Sequence, residues 1–274
     1  MQRRPGAAGG RRMLRRGDAV FYAFALPFAA LTVVFGLWPI LLSVETSFTA
    51  SASALRPSPD FVGLANYATI FADPLFLASL WRTVLYTVLA VAANVGFALA
   101  YALLLDSELI AGGGAFFKMA VFMPVVTPEV AGYVVWRWLY DQSFGAVNAA
   151  LKLLGLPMFG GIASTVTVLP AVLIAELWSH AGFYVVIFLA NLALCERSLT
   201  EAAEIDGARP WQRILHVVLP QLWPAITVNV VYATIQFLKT FTVVVVMTKG
   251  GPADATNFVS YTPLKRGPEN SLGR

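Results

Sequence analysis

Five stretches of this sequence, residues 19–44, 83–105, 115–140, 165–194 and 222–247, are apolar over lengths sufficient to cross a lipid bilayer, which takes about 20 residues of helix. Lipid offers no partner to a free backbone N–H or C=O, so each stretch is expected to be helical. The fold class is therefore all-α, a polytopic transmembrane helical protein with five visible spans. Composition agrees, because the chain is 58% hydrophobic and 12% charged, with a mean hydropathy of +0.71, where soluble domains are about a quarter charged. That leaves no room for a soluble catalytic domain beside the spans. Pro27, Pro39, Pro124, Pro128 and Pro170 lie in or near the spans, where neighbouring helices make a kink tolerable.

Six of the nineteen basic residues, Arg3, Arg4, Arg11, Arg12, Arg15 and Arg16, precede the first span. Residues 1–18 read as a basic cytoplasmic tail that orients a multi-pass protein in its membrane, and not as a nucleic-acid patch. The tail then places residues 45–82 and 141–164 outside and residues 106–114 and 195–221 inside, where Arg197, Arg209 and Arg213 add to the cytoplasmic count. The four basic residues after Met247 run against this trend. Ala52-Ser53-Ala54 offers a small-residue cleavage site, but the preceding stretch is longer than a signal peptide's apolar core and reads as a retained first helix. Trp38, Trp81, Trp136, Trp138 and Tyr140 sit near span ends as an interfacial belt. Residues 66–74 form either an amphipathic surface helix or an irregular loop. The single cysteine, Cys195, excludes an internal disulfide or a multi-cysteine metal site and reads as a packing residue.

The most informative segment is the loop between the fourth and fifth spans, residues 201–220. It reads as an acidic-ended helix, a break at Gly207, and a second helix from Pro210, since proline suits a first helical turn and glycine the bend before it. Ala202, Ala203 and Ile205 give the first helix a small, smooth face, while Leu215, Val217 and Val218 are suited to rest on the membrane domain. The segment resembles the EAA loop of ABC importer permeases, whose pattern is glutamate-alanine-alanine, three residues, glycine, nine residues, isoleucine, one residue, leucine-proline. Glu201, Ala202, Ala203, Gly207, Leu219 and Pro220 match at that spacing, and Val217 replaces the isoleucine. Asp206 lies within the matching run.

Further segments resemble the carbohydrate-import type of these permeases: residues 61–67, Trp136-Arg137-Trp138-Leu139-Tyr140 with Phe144-Gly145, and residues 247–256 around Gly250-Gly251-Pro252. The resemblance implies the ABC importer permease (MetI-like) fold over residues 19–247 and a coupling helix in residues 201–220 that docks on a separate ATPase. It implies a second permease subunit, two copies of the ATP-binding subunit and an extracytoplasmic solute-binding protein, with membrane lipid around the spans. No glycine-lysine signature of a phosphate loop occurs here, so this chain is expected to bind no cofactor and to catalyse no bond change, the partner ATPase using ATP and Mg. The solute implied is a mono- or oligosaccharide. Glycerol phosphate, a polyol or an amino sugar is the alternative within the family, and a membrane-embedded enzyme or scaffold the alternative outside it.

Ionisable residues inside spans usually face protein or water, which singles out Glu129, Glu176, His180 and Lys239. Glu176 and His180 share a helix face and serve either a polar network or the substrate path; no further ligand stands near them in sequence to make a metal site. Asn229, Gln236 and Lys239 on the fifth span either contact solute or fix helix packing. The family's sixth span is expected soon after the glycine-glycine-proline turn, but residues 258–274 are short, contain Pro263 and Pro268, and end in polar residues. Residues 248–274 thus read as an atypical extracytoplasmic end, with the sixth span apparently missing.

Overall fold

The computed structural model describes residues 9–50, 60–107 and 114–266, with side chains from residue 20 to residue 265. The arginine side chains of the tail, the 52–54 site and Pro268 lie outside the described residues. The chain forms two compact units, Met1–Pro74 and Leu75–Arg274. Every long described element is helical, and three helices among the described residues are long and apolar enough to cross a membrane, or five spans if each of two bent pairs counts once.

The first unit holds the span Val20–Ser47. It is built from α1 (Gly9–Thr32), a π turn at Val33–Leu37 and α2 (Trp38–Ser47). The wide turn has a local cause. Pro39 lacks an N–H, and its ring crowds the carbonyl four residues back, on Phe35 within the π turn. After α2 the chain folds over: the Asn66 amide donates to the carbonyls of Ser47 and Thr49, both at 2.9 Å, and Tyr67 donates to the Ser47 hydroxyl at 2.8 Å. These bonds fix α3 (Ala65–Phe71), so a helix is the outcome for the 66–74 segment.

In the second unit the second span begins at Pro74, not Thr83, and runs as α4 (Pro74–Asp106). Beside the larger Tyr86, Val95 and Leu105, its buried face carries a stripe of Ser79, Thr83, Thr87, Ala90, Asn94, Ala98 and Ala102. These small or weakly polar side chains recur every third or fourth residue, the pattern that lets helices approach when lipid removes the hydrophobic driving force between them. Central to the unit is α8 (Val168–Leu192), half of whose membrane window is buried. Its closest neighbour lies at Gly182, where an added Cβ would stand 2.2 Å from the Val121 carbonyl oxygen and 2.9 Å from Val125.

The third predicted span is not one helix. α5 (Gly114–Phe122) passes through a 3-10 turn at Met123–Val126, and α6 (Glu129–Leu139) leaves it at 103°. Pro128 excludes helical geometry at the residue before it, and Thr127 is accordingly extended with ψ 134°. Neither arm reaches the roughly 30 Å of a bilayer core by itself. Tyr140 does not belong to an interfacial belt: it is buried and donates to the Ala171 carbonyl at 3.1 Å. The following loop carries α7 (Ala146–Leu153), tied down by Asn148, which both donates to and accepts from the backbone of Phe159 at 3.1 and 2.8 Å.

The fifth predicted span is bent at its start and broken near its end. After α9 (Arg197–Ile205), α10 (Pro210–Arg213), a π turn at Ile214–Val218 and α11 (Leu219–Gln221), the chain bends by 70° into α12 (Trp223–Leu238). Pro220 follows its π turn as Pro39 does, four residues after His216. α12 stops at Lys239, and helical structure resumes only at residue 242, ending in a π turn at Val244–Thr248. Past the glycine-glycine-proline turn, Phe258 is buried and α13 (Thr262–Arg266) closes the described chain.

Replacing Gly182 by valine should therefore be among the most damaging changes in the spans. Overpacking usually costs about 1–3 kcal/mol, and here the obstructing atom is a backbone carbonyl that cannot rotate away. Gly132→Ala should be milder, because the added Cβ meets only the Trp178 ring edge, at 3.1 Å. Detergent thermal-shift midpoints of the two variants check the order: Gly182→Val lowest, Gly132→Ala between it and the parent.

Candidate functional site

Two places concentrate the sequence-predicted residues. The first is the hairpin made by α9 and α10. α9 ends in a double turn in which the Gly207 N–H donates to the Glu204 carbonyl at 3.0 Å and the Ala208 N–H to the Ala203 carbonyl at 2.9 Å. This is the Schellman arrangement, which requires the residue after the cap to be left-handed, and Gly207 has φ +80°. A Cβ at Gly207 would meet nothing within 4 Å, so glycine is demanded by backbone conformation and not by space.

The second limb starts as the sequence suggests, with Pro210 in the first turn. The Gln212 side chain accepts from the Arg209 N–H at 2.8 Å, capping that limb. Arg213 reaches back to Glu204 to tie the two limbs, and Gln221 accepts from the Glu196 N–H at 2.9 Å, closing the hairpin's base. The Arg213–Glu204 pair is mostly solvated on its Glu204 side, so it sets geometry more than stability.

Glu201, Ala202, Asp206 and Gly207 are exposed, Leu219 is half-buried and Pro220 exposed. Ile205, 86% exposed, stands on the same outward face as Ala202. Ala203 does not share that face: it is half-buried and turned toward the second limb, lining an open groove of about 440 Å³ with Ala208, Gln212, Arg213 and His216. Leu215 also departs from expectation, remaining 50% exposed, while Val217 and Val218 are half-buried and Val218 packs on the core. Near the hairpin's start, burial and then the Asp106 carboxylate push the Cys195 thiol up from its ordinary value, which keeps it in the unreactive protonated form.

The second place lies within the spans, where the break before α6 and the break after α12 meet α8. A cavity of about 180 Å³ is lined by Glu129, Glu176, His180, Gln236, Lys239 and residues 240–242. Glu129 is there because it is the first residue of α6 after the Pro128 bend, and Lys239 because it caps α12. Glu176 is buried, with His180 Nδ1 at 3.1 Å from its carboxylate. The structure thus brings together four of the five residues assigned to the substrate path and adds Glu129.

Asn229 is not among them. It is fully buried between α12 and α8, and its amide donates to the Tyr184 carbonyl at 3.4 Å, so for this residue helix packing is the role observed. A second cavity of about 200 Å³ shares Glu129 and His180 and is walled by Phe183, Tyr184 and Tyr232, with the Phe183 and Tyr232 rings 4.8 Å apart. These aromatic residues carry no signal in sequence that separates them from ordinary core residues; only the convergence of the two helix breaks marks them.

The family model described as the binding-protein-dependent transport system inner membrane component matches residues 6–263. The sn-glycerol-3-phosphate transport system permease protein UgpA of Agrobacterium fabrum is 34% identical over 248 residues, covering 88% of this chain and 81% of the relative. The trehalose/maltose transport system permease protein MalF of Thermococcus litoralis is 29% identical over 239 residues, covering 87% and 80%. Among solved structures, a bacterial ABC transporter involved in the import of the acidic polysaccharide alginate shares the fold, with a TM-score of 0.79 at 20% identity over 95% of this chain and 88% of the other. With a match running through both units, this chain belongs to the inner-membrane component family of binding-protein-dependent transport systems.

Proposed function

We propose that the chain is a permease subunit of an ATP-driven importer that passes a sugar, delivered by an extracytoplasmic binding protein, through the cavity at the two helix breaks. The observation that carries this reading is the hairpin: a rigid turn with an outward face of Glu201, Ala202 and Ile205, held by Gly207 and closed by Gln221. Such a face suits a groove on a separate ATPase, and closure of two ATPase subunits on ATP and Mg would push the hairpin and rock α8 and α12. A second permease would complete the pathway.

Topological parity supports the orientation. If the bent α5–α6 pair makes one crossing, the arginine tail and the hairpin lie on the same side; if it returns to its starting side, they lie on opposite sides. The six tail arginines together with Arg197, Arg209 and Arg213 favour one cytoplasmic side for both. The cavity's charges favour an uncharged polyhydroxylated solute over a phosphate ester. Two carboxylates, Glu129 and Glu176, stand against Lys239 and a histidine already paired with Glu176, whereas phosphate recognition calls for an excess of cationic donors.

Tagged protein should co-purify with its ATPase subunit. Gly207→Pro, which removes the N–H donated to Glu204 and cannot adopt φ +80°, should abolish solute-stimulated ATP hydrolysis, while Gly207→Asn should retain most of it. Equal activity in the two variants would refute the coupling role.

In uptake assays by the assembled importer, Lys239→Met should raise KM about tenfold, as expected from losing one charge-assisted hydrogen bond of about 1.5 kcal/mol. Neutral sugars should compete for uptake and glycerol phosphate should not. An unchanged KM in Lys239→Met counts against the cavity as the path.

A further inference from the structure

The segment after the glycine-glycine-proline turn has no part in the transport reading, yet it folds back onto the wall of the cavity. Two contacts anchor it to α4. The Val259 N–H donates to Thr83 Oγ1 on α4 at 3.0 Å. The buried Phe258 ring packs on Tyr86 with centroids 4.6 Å apart. Within the turn itself, Thr256 Oγ1 lies 2.7 Å from Thr248 Oγ1 and 2.9 Å from the Gly251 carbonyl. From this fixed platform the Ser260 hydroxyl donates to the Thr240 carbonyl.

Thr240 sits in the break between α12 and the next helical turn, is itself buried, and lines the cavity with Lys239 and Thr242. A helix break inside a membrane segment takes carbonyls out of the helical ladder where water is scarce, and a protein donor must replace the lost one. We propose that Ser260 is a positioning residue for solute translocation. Through the Thr240 carbonyl it holds the α12 break in the shape that turns Lys239 and Thr242 toward the cavity. The proposal rests on the cavity being the solute path, but the shape of the cavity is measurable without any solute.

The test uses the assembled importer in a Cys195→Ser background, with either Thr242→Cys in the cavity or Ser179→Cys, since Ser179 lines the adjoining cavity of about 200 Å³. The rate of modification by a cationic methanethiosulfonate reagent is the readout. Ser260→Ala should change the rate at position 242 severalfold and leave position 179 unchanged, and Ser260→Thr, which keeps the hydroxyl, should restore the parent rate. No change at 242, or an equal change at both positions, overturns the proposal. If Ser260→Ala does not assemble, Ser260→Val and Ser260→Thr form a pair differing by one hydroxyl, to be compared in the same way. Failure of both Ala and Val to assemble where Thr does would make the hydroxyl purely structural and overturn the positioning role. Should Lys239→Met leave uptake unaltered while the thiol rates move as expected, the solute-path reading fails and the positioning of the break stands.

Discussion

Inside a bilayer a carbonyl or N–H released from a helix has no water to turn to, so a helix can break only where the protein itself supplies the missing partner. In this chain the breaks are set by proline and by side chains. Pro128 forces Thr127 out of helical geometry, and the Thr127 N–H finds the Pro124 carbonyl at 3.0 Å. Beyond α12 the Thr240 carbonyl takes its donor from Ser260. Pro39 causes a lesser disruption, a widened turn within an otherwise continuous span, and the widened turn before Pro220 leads into the 70° bend that opens α12. The cavity that gathers Glu129, Glu176, His180 and Lys239 lies beside these two deeper breaks, where polar side chains and a space between helices coincide.

Close packing of α8 makes that arrangement rigid. Gly182 admits the Val121 backbone at a distance that no side chain would permit, and α4 presents a stripe of small side chains on its buried face. With lipid as apolar as the side chains, such contacts supply stability through van der Waals fit more than through burial. The hairpin follows a different rule. Its shape comes from local hydrogen bonds at Gly207, Gln212 and Gln221, so it does not depend on burial in the core.

Much of this was legible in the sequence. The hairpin was read nearly complete, because glycine at a helix end and proline at a helix start act through local backbone geometry that spacing reveals. Glu176 and His180 were paired correctly, since four residues on a helix fix a shared face. The small-residue stripe of α4 was available as a repeat of Ser, Thr, Ala and Asn every third or fourth position. The third and fifth spans were misread as single helices: hydropathy averages over a window and does not register a bend, and Pro124 and Pro128 signalled only the possibility of a kink. Asn229 was grouped with Gln236 from their shared face, yet one packs against Tyr184 and the other lines the cavity.

By itself the sequence determined the class of the protein, the number of apolar stretches, and the form of the α9–α10 hairpin, all of which depend on composition or on neighbours a few residues apart. Tertiary structure alone decided which polar side chains meet. The cavity draws on residues from 129, 176–180 and 236–242, and the tether at Ser260 reaches back to Thr240 and, through its neighbour Val259, to Thr83 on α4. Those distances in sequence are closed by helix bends and by close approach at glycine, and neither the bend angle nor the partner of a glycine is encoded in any local pattern.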